Sequence, residues 1–227
     1  MLPLAASPNF ANSVLHWQTR AYQAATTPST DPKSGHWITS DVWVQVGPDN
    51  SASHERATTT LDGQFEEALF YDFVSGAVTR ITAQPVGVKA QACSISGTIP
   101  ESKRSRLAGQ ALPTYLSLRG LPNAGFGKSA FAFELAPPLP ESALGKPQST
   151  LASGKFLALE AAESTPTGMN HVVVSVDQDS GRLLGWARLD SAGKLLHEEI
   201  SSDIEVFAAG QIPASYFDPL KFAGGCK

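Results

Sequence analysis

The few residues whose types and spacing could do chemistry sit in settings that argue against it. GFGKS, Gly125 to Ser129, ends like a phosphate-binding loop, in which glycine amides cradle phosphate at the start of a helix. The first glycine of such a loop would fall at Pro122, and the residues after Ser129 read as a strand, so a glycine-rich hairpin turn is expected. Asp177-x-Asp179-Ser180-Gly181 spaces carboxylates closely enough to offer oxygens to calcium. The downstream bidentate glutamate is missing and the flanks are strand-like, so this stretch is expected to be a turn in which an Asp bonds its own backbone.

Nucleophilic and acid–base patterns are equally sparse. There is no GxSxG elbow, and His16, His36, His54, His171 and His197 are scattered without HxxxH spacing; they read as strand-surface or structural residues. Glu66-Glu67 and Glu198-Glu199 are adjacent in extended segments, so their side chains point to opposite faces and cannot work as a pair. Cys93 and Cys226 lack CxxC spacing and a nearby histidine, leaving one disulfide or two unrelated thiols. No catalytic residue, no metal ligand and no cofactor is assigned, and a non-enzyme is expected. A hydrolase with a dispersed site is the reading left for residues that only the fold could bring together.

What must position these residues is a β framework. VLHWQTR (Val14 to Arg20) and ITSDVWVQV (Ile38 to Val46) broadly alternate apolar and polar residues and are rich in β-branched and aromatic types, as strands with one buried face should be. The Pro/Ser/Thr-rich TTPSTDPKSG between them is a long hairpin loop. Strands follow around Glu55 to Leu61, up to Phe73 and over Ala77 to Thr82, separated by Asp62-Gly63 and Ser75-Gly76 turns. A helix is expected between Pro100 and Gly120, capped by Ser102, with Leu107, Ala111 and Leu112 on one side and Pro113 as its stop. Ser129 to Leu135 and Lys155 to Ala161 read as apolar strands flanking the Pro-rich excursion APPLPESALGKPQ. The clearest strands come last: Val172, Val174 and Val176 on one face, a turn at Asp179-Ser180-Gly181, Leu183 to Leu189 returning, and a turn at Ser191-Ala192-Gly193 into Lys194 to Val206.

Composition narrows the partners. The chain has 227 residues, 42% hydrophobic and 17% charged, which suits one globular domain and rules out a disordered chain. A formal net charge of −4 with interspersed signs leaves no footprint for nucleic acid, and Lys103, Arg104 and Arg106 read as a solvated turn or helix end. MLPLAASPNF lacks a charged stretch followed by an apolar one, so no intact signal peptide is read; the protein is cytoplasmic or its leader or anchor lies outside this chain.

The most legible segment, VVVSVDQDSGRLLGWARLDSAGKLL followed by ISSDIEVFAAGQIPASYFDP, resembles the closing strands of the LolA-like superfamily: periplasmic lipoprotein carriers, outer-membrane lipoprotein-sorting proteins and RseB-type regulators. The matching residues are Asp177, Gly181, Leu183, Gly193, Lys194, Ile212, Pro213 and Phe217. VLHWQTR, DVWVQVGPDN, LDGQ and FYD are similar to the family's opening strands, so the resemblance touches roughly half the chain. It implies a mainly β (α+β) fold, a long antiparallel sheet curled into a half-barrel with one or a few helices or loops over its concave face, with residues 1–227 as one domain. It also implies a non-enzymatic, extracytoplasmic carrier or sensor that takes an acyl chain, lipid or lipoprotein, with a membrane protein as a further partner. Bulky apolar residues on the expected strands give the candidate cavity lining: Trp17, Val42, Val44, Phe131, Phe133, Val172, Val174 and Trp186. The alternative from a different class is a protein-interaction or regulatory β domain with a filled core.

Overall fold

Tight turns set the layout. Asp62 (φ 49°) and Gly63 (φ 83°) both adopt left-handed backbone, the pairing that closes a hairpin with the twist strands prefer. Gly76 (φ 83°) closes the next turn, where its N–H donates to the Asp72 carbonyl at 2.7 Å. The computed structural model describes residues 8–24, 35–82, 93–113, 134–135, 156–166, 168–177, 180–202 and 204–222. Within them the chain has twelve strands and one α-helix, so the expected class, mainly β with a long antiparallel sheet and little helix, is the observed one.

The chain forms two compact units. One comprises Asn9–Thr19, Ile38–Leu112 and Asp203–Lys227. It holds most of β1 (Ser13–Ala24) and β2 (Gly35–Val46), then β3 (Ala52–Leu61), β4 (Gln64–Asp72), β5 (Ala77–Thr82), β6 (Cys93–Thr98) and α1 (Glu101–Gln110). These strands neighbour one another in sequence order, and β12 (Glu205–Ala208) pairs antiparallel with β1. Register fixes the faces: Val44 lies opposite Glu55, which lies opposite Tyr71, which lies opposite Val78. Period two then places Trp43, Arg56, Phe70 and Thr79 on the reverse face.

Each face of this unit has its own cover. On the Val44 side a core of Leu15, Val44, Val46, Ala52, Phe73 and Ile99 packs with Ala108 of α1. On the reverse side the segment after β12, with 3-10 turns at Ala214–Phe217 and Pro219–Lys221, brings Phe222 against Ala68, Phe70 and Ile81. The helix begins one residue earlier than its expected cap: Pro100 is the N-cap without a side-chain hydrogen bond, and Ser102 lies inside the first turn. A proline cap has no side-chain acceptor, and the acidic Glu101 in the first turn favours the helix N-terminus instead. Arg104 fastens α1 by donating to the carbonyls of Val74 (3.0 Å) and Ile99 (3.3 Å), so this member of the basic cluster is structural.

The other unit comprises Met1–Pro8, Arg20–Trp37 and Pro113–Ser202. Its strands run β11 (Leu195–Ser201), β10 (Leu183–Leu189), β9 (Gly168–Asp177), β8 (Phe156–Thr165) and β7 (Glu134–Leu135) in order, all antiparallel. β9 buries five residues in succession, Val172 to Val176, so both its faces are covered. Asp177 makes the expected turn: its Oδ1 accepts from the Ser180 amide (2.6 Å) and hydroxyl (2.7 Å), and its carbonyl from Gly181 N–H (2.8 Å). Gly185 is required by close approach, since a Cβ there would lie 2.6 Å from the Glu199 carbonyl oxygen. The expected single strand from Lys194 to Val206 is instead two, β11 and β12, the second pairing with β1 through Ser13 to His16. The expected strand at Ser129 to Leu135 is described only at Glu134–Leu135, and GFGKS, the Pro-rich excursion and Cys226 lie outside the described residues.

Candidate functional site

The Val44 face of the first unit is the place where the described residues combine apolar surface with an unusual polar group. Trp17 on β1, Val42 on β2, Tyr71 on β4 and Val78 on β5 are only partly buried and rim the packed cluster of Leu15, Val44 and Phe73. Leu107, Ala111 and Leu112 at the end of α1 complete the rim from above. Ala108 is the one buried residue of the helix itself, so a short helix covers the face through a narrow contact. No helix among the described residues is long and apolar enough to cross a membrane, and they contain no group of three or more potential metal ligands.

Glu55 stands in the middle of this face, between Val44 and Tyr71 in register. Alternation along β3 sends its side chain to the apolar side, where burial pushes its carboxyl up to about 7. Its charge is felt by Tyr71, whose hydroxyl is pushed above its ordinary value by burial first and then by Glu55 and Glu67. The nearby cation, Arg80, is already paired with Glu67 at 2.6 Å. Sequence reading noticed the strand around Glu55 but not the residue, because a glutamate in a polar strand looks solvated until its register is known.

Of the expected lining, the structure brings together Trp17, Val42 and Val44 on this face. Val172, Val174 and Trp186 form a second group in the other unit, Trp186 lying opposite Val174 on β10 and β9. Val44, Val172 and Val174 are each 0% exposed, whereas Trp186 is partly buried, stacks on His197 at 4.4 Å and donates its indole N–H to Glu199 at 3.2 Å. Phe131 and Phe133 lie outside the described residues.

The reverse face carries a second constellation that the sequence did not announce. His16 stacks on Trp43 with centroids 4.0 Å apart, and its two ring nitrogens meet Glu205 (Nδ1, 2.6 Å) and Asp41 (Nε2, 2.8 Å). Ionised carboxylates only accept, so both contacts are hydrogen bonds when the ring is the doubly protonated cation. Burial works against that charge, but the bonds to Asp41 and Glu205 prevail and hold the His16 pKa above its ordinary value. Asp41 also accepts from Trp43 (2.9 Å) and Gln18 (3.1 Å), and these bonds with His16 outweigh burial and lower its pKa. Beyond Trp43, the Arg56 guanidinium lies over Tyr216 at 4.0 Å and Phe222 at 5.0 Å. A cleft of about 280 Å³ opens beside it between His54, Asp72 and Thr79 on the sheet and Phe217 and Pro219 of the C-terminal segment. These contacts seat that segment on the sheet, and His16, Asp41 and Glu205 are bound to one another.

No family model matches the chain, and no curated protein matches it. Among solved structures, MucB aligns with 96% of this chain and 60% of its own at 16% identity and a TM-score of 0.44. The Pseudomonas aeruginosa MucA/MucB complex aligns with 94% of this chain and 57% of that one, also at 16% identity and a TM-score of 0.44. The chain thus spans a little over half the length of the MucB chains it matches. A putative outer-membrane lipoprotein-sorting protein domain from Vibrio parahaemolyticus aligns with 93% of this chain and 91% of its own at 12% identity and a TM-score of 0.32.

Proposed function

We propose that this chain is a non-enzymatic extracytoplasmic carrier or sensor that binds an acyl chain, as a lipid or a lipoprotein, and that a membrane protein is its further partner. The observation that carries the reading is the α1-covered face, where Trp17, Val42, Tyr71 and Val78 stay partly open around a packed core. An acyl chain needs only such a lining: each buried CH₂ stabilises the complex by about 0.8 kcal/mol without a charged group. α1 covers this face through Ala108, with Leu107, Ala111 and Leu112 beside it. The resemblance of the C-terminal strands to carriers and regulators of the LolA-like superfamily supports the same reading, with residues 1–227 acting as one domain.

The test is transfer of pyrene-labelled phospholipid from vesicles to the purified protein. Uptake that converts excimer to monomer emission, and that falls at least tenfold in Val42→Asp, is the expected result. A specific observation favours a second reading, a protein-interaction domain with a filled core: Val44, Val172 and Val174 have no exposed surface. That reading expects no label uptake by the wild-type protein.

A further inference from the structure

Glu55 is a carboxyl set in register between Val44 on β2 and the ring of Tyr71 on β4 on the α1-covered face. Among the described residues no N–H or O–H donates to its carboxylate. Among the described residues the charged and titratable groups near it lie on β4 and β5: Tyr71 and Glu67 on β4, and Arg80 on β5, held by Glu67 at 2.6 Å. On α1, Arg104 is held by the carbonyls of Val74 and Ile99. On β1 and β2 the facing residues are Trp17, Val42 and Val44, which carry no charge. The face therefore offers an acceptor without a counter-ion, at the centre of a surface otherwise suited to hydrocarbon.

We propose that Glu55 anchors the head of the ligand, and that the ligand is an apolar chain headed by an ammonium group. The inference rests on the reading of this face as an acyl-chain site. An ammonium head donates to the carboxylate and supplies the missing counter-charge, while its chain lies along Val42, Trp17 and the end of α1. A carboxylate head, as in a free fatty acid, places a second anion beside Glu55, and among the described residues facing it no free cation separates them. Burial holds the Glu55 carboxyl at about 7, so an ammonium ligand competes with a proton for the same oxygens. Its affinity rises with pH through that value, and affinity for a fatty acid falls.

The experiment is calorimetric titration of the full chain and of Glu55→Gln with dodecylammonium and with dodecanoate, at pH 6 and pH 8. The glutamine is nearly isosteric and removes the charge that burial opposes, so the variant keeps the fold. The wild-type protein is expected to bind dodecylammonium about tenfold tighter at pH 8 than at pH 6, because a carboxyl titrating at about 7 is mostly protonated at the lower pH. At pH 8 it prefers dodecylammonium to dodecanoate by tenfold or more. In Glu55→Gln both the pH dependence and the preference disappear while both chains still bind. Binding of both chains by the wild-type protein with no preference, or the same preference in the variant, overturns the anchor and leaves the acyl-chain site standing. Binding of neither chain to either protein overturns the site and the anchor together.

Discussion

Replacing Glu55 by glutamine removes a carboxyl that folding makes hard to ionise, and the consequence for stability has a definite sign. The carboxyl titrates near its ordinary 4.5 in the unfolded chain and at about 7 in the folded one, with burial as the cause. Between these values the folded state binds more protons, so stability falls as pH rises and levels off above about 7. The interval of 2.5, from about 7 and 4.5, at about 1.4 kcal/mol per pH unit, gives an upper bound of about 3 kcal/mol lost between pH 4.5 and pH 7.5. Part of the side chain still meets water, so about 2 kcal/mol is the expected loss. Urea unfolding of the wild-type protein and Glu55→Gln at pH 5 and pH 8, with m held common, isolates the contribution as the difference between the two pH dependences. The variant is expected to gain on the wild-type protein by about 2 kcal/mol at pH 8 and to stand close to it at pH 5. Parallel pH dependences in the two proteins would refute the placement of Glu55 on the apolar face.

Other outcomes follow from the same contacts. NMR titration of His16 is expected to give a pKa above 6.5, returning toward that value in Asp41→Asn. Because the folded pKa is raised, the His16 contribution is complete below about 6.5 and disappears as pH rises through the folded value. Gly76→Ala forces an L side chain into φ 83° and sets a Cβ 2.6 Å from the Arg104 guanidinium. A loss of about 1–2 kcal/mol and faster hydrogen exchange in α1 are expected, and unchanged exchange would show that Arg104 does not fasten the helix. Gly185→Ala pushes a methyl toward the Glu199 carbonyl and is expected to destabilise the β10–β11 pair by more than 1 kcal/mol in thermal unfolding.

Strands were legible where turn chemistry and alternation agreed. Asp62-Gly63 and Ser75-Gly76 fixed β4 and β5, and Ala77–Thr82 and Leu183–Leu189 have the bounds read from the sequence. β6 went unread because Cys93–Thr98, CSISGT, is short and rich in small polar residues, with a weak apolar pattern; its register with β5 makes it a strand. The Lys194 to Val206 stretch looked continuous because no glycine or proline breaks it; the second half leaves to pair with β1, a tertiary choice that local pattern cannot express. The same limit applies to the site. Trp17, Val42 and Val44 were found by alternation, whereas Glu55, the His16 cluster and the aromatic cover of Arg56 depend on register across strands and on contacts more than a hundred residues apart.

Native mass spectrometry of the gently purified chain, followed by organic extraction and lipid analysis of what comes off, measures occupancy of the proposed site most directly. An acyl lipid at near-stoichiometric amount, depleted in the Val42→Asp variant, is the predicted result. A clean ligand-free mass that persists when phospholipid and alkylammonium chains are offered would contradict it and leave the filled-core interaction domain as the reading of this fold.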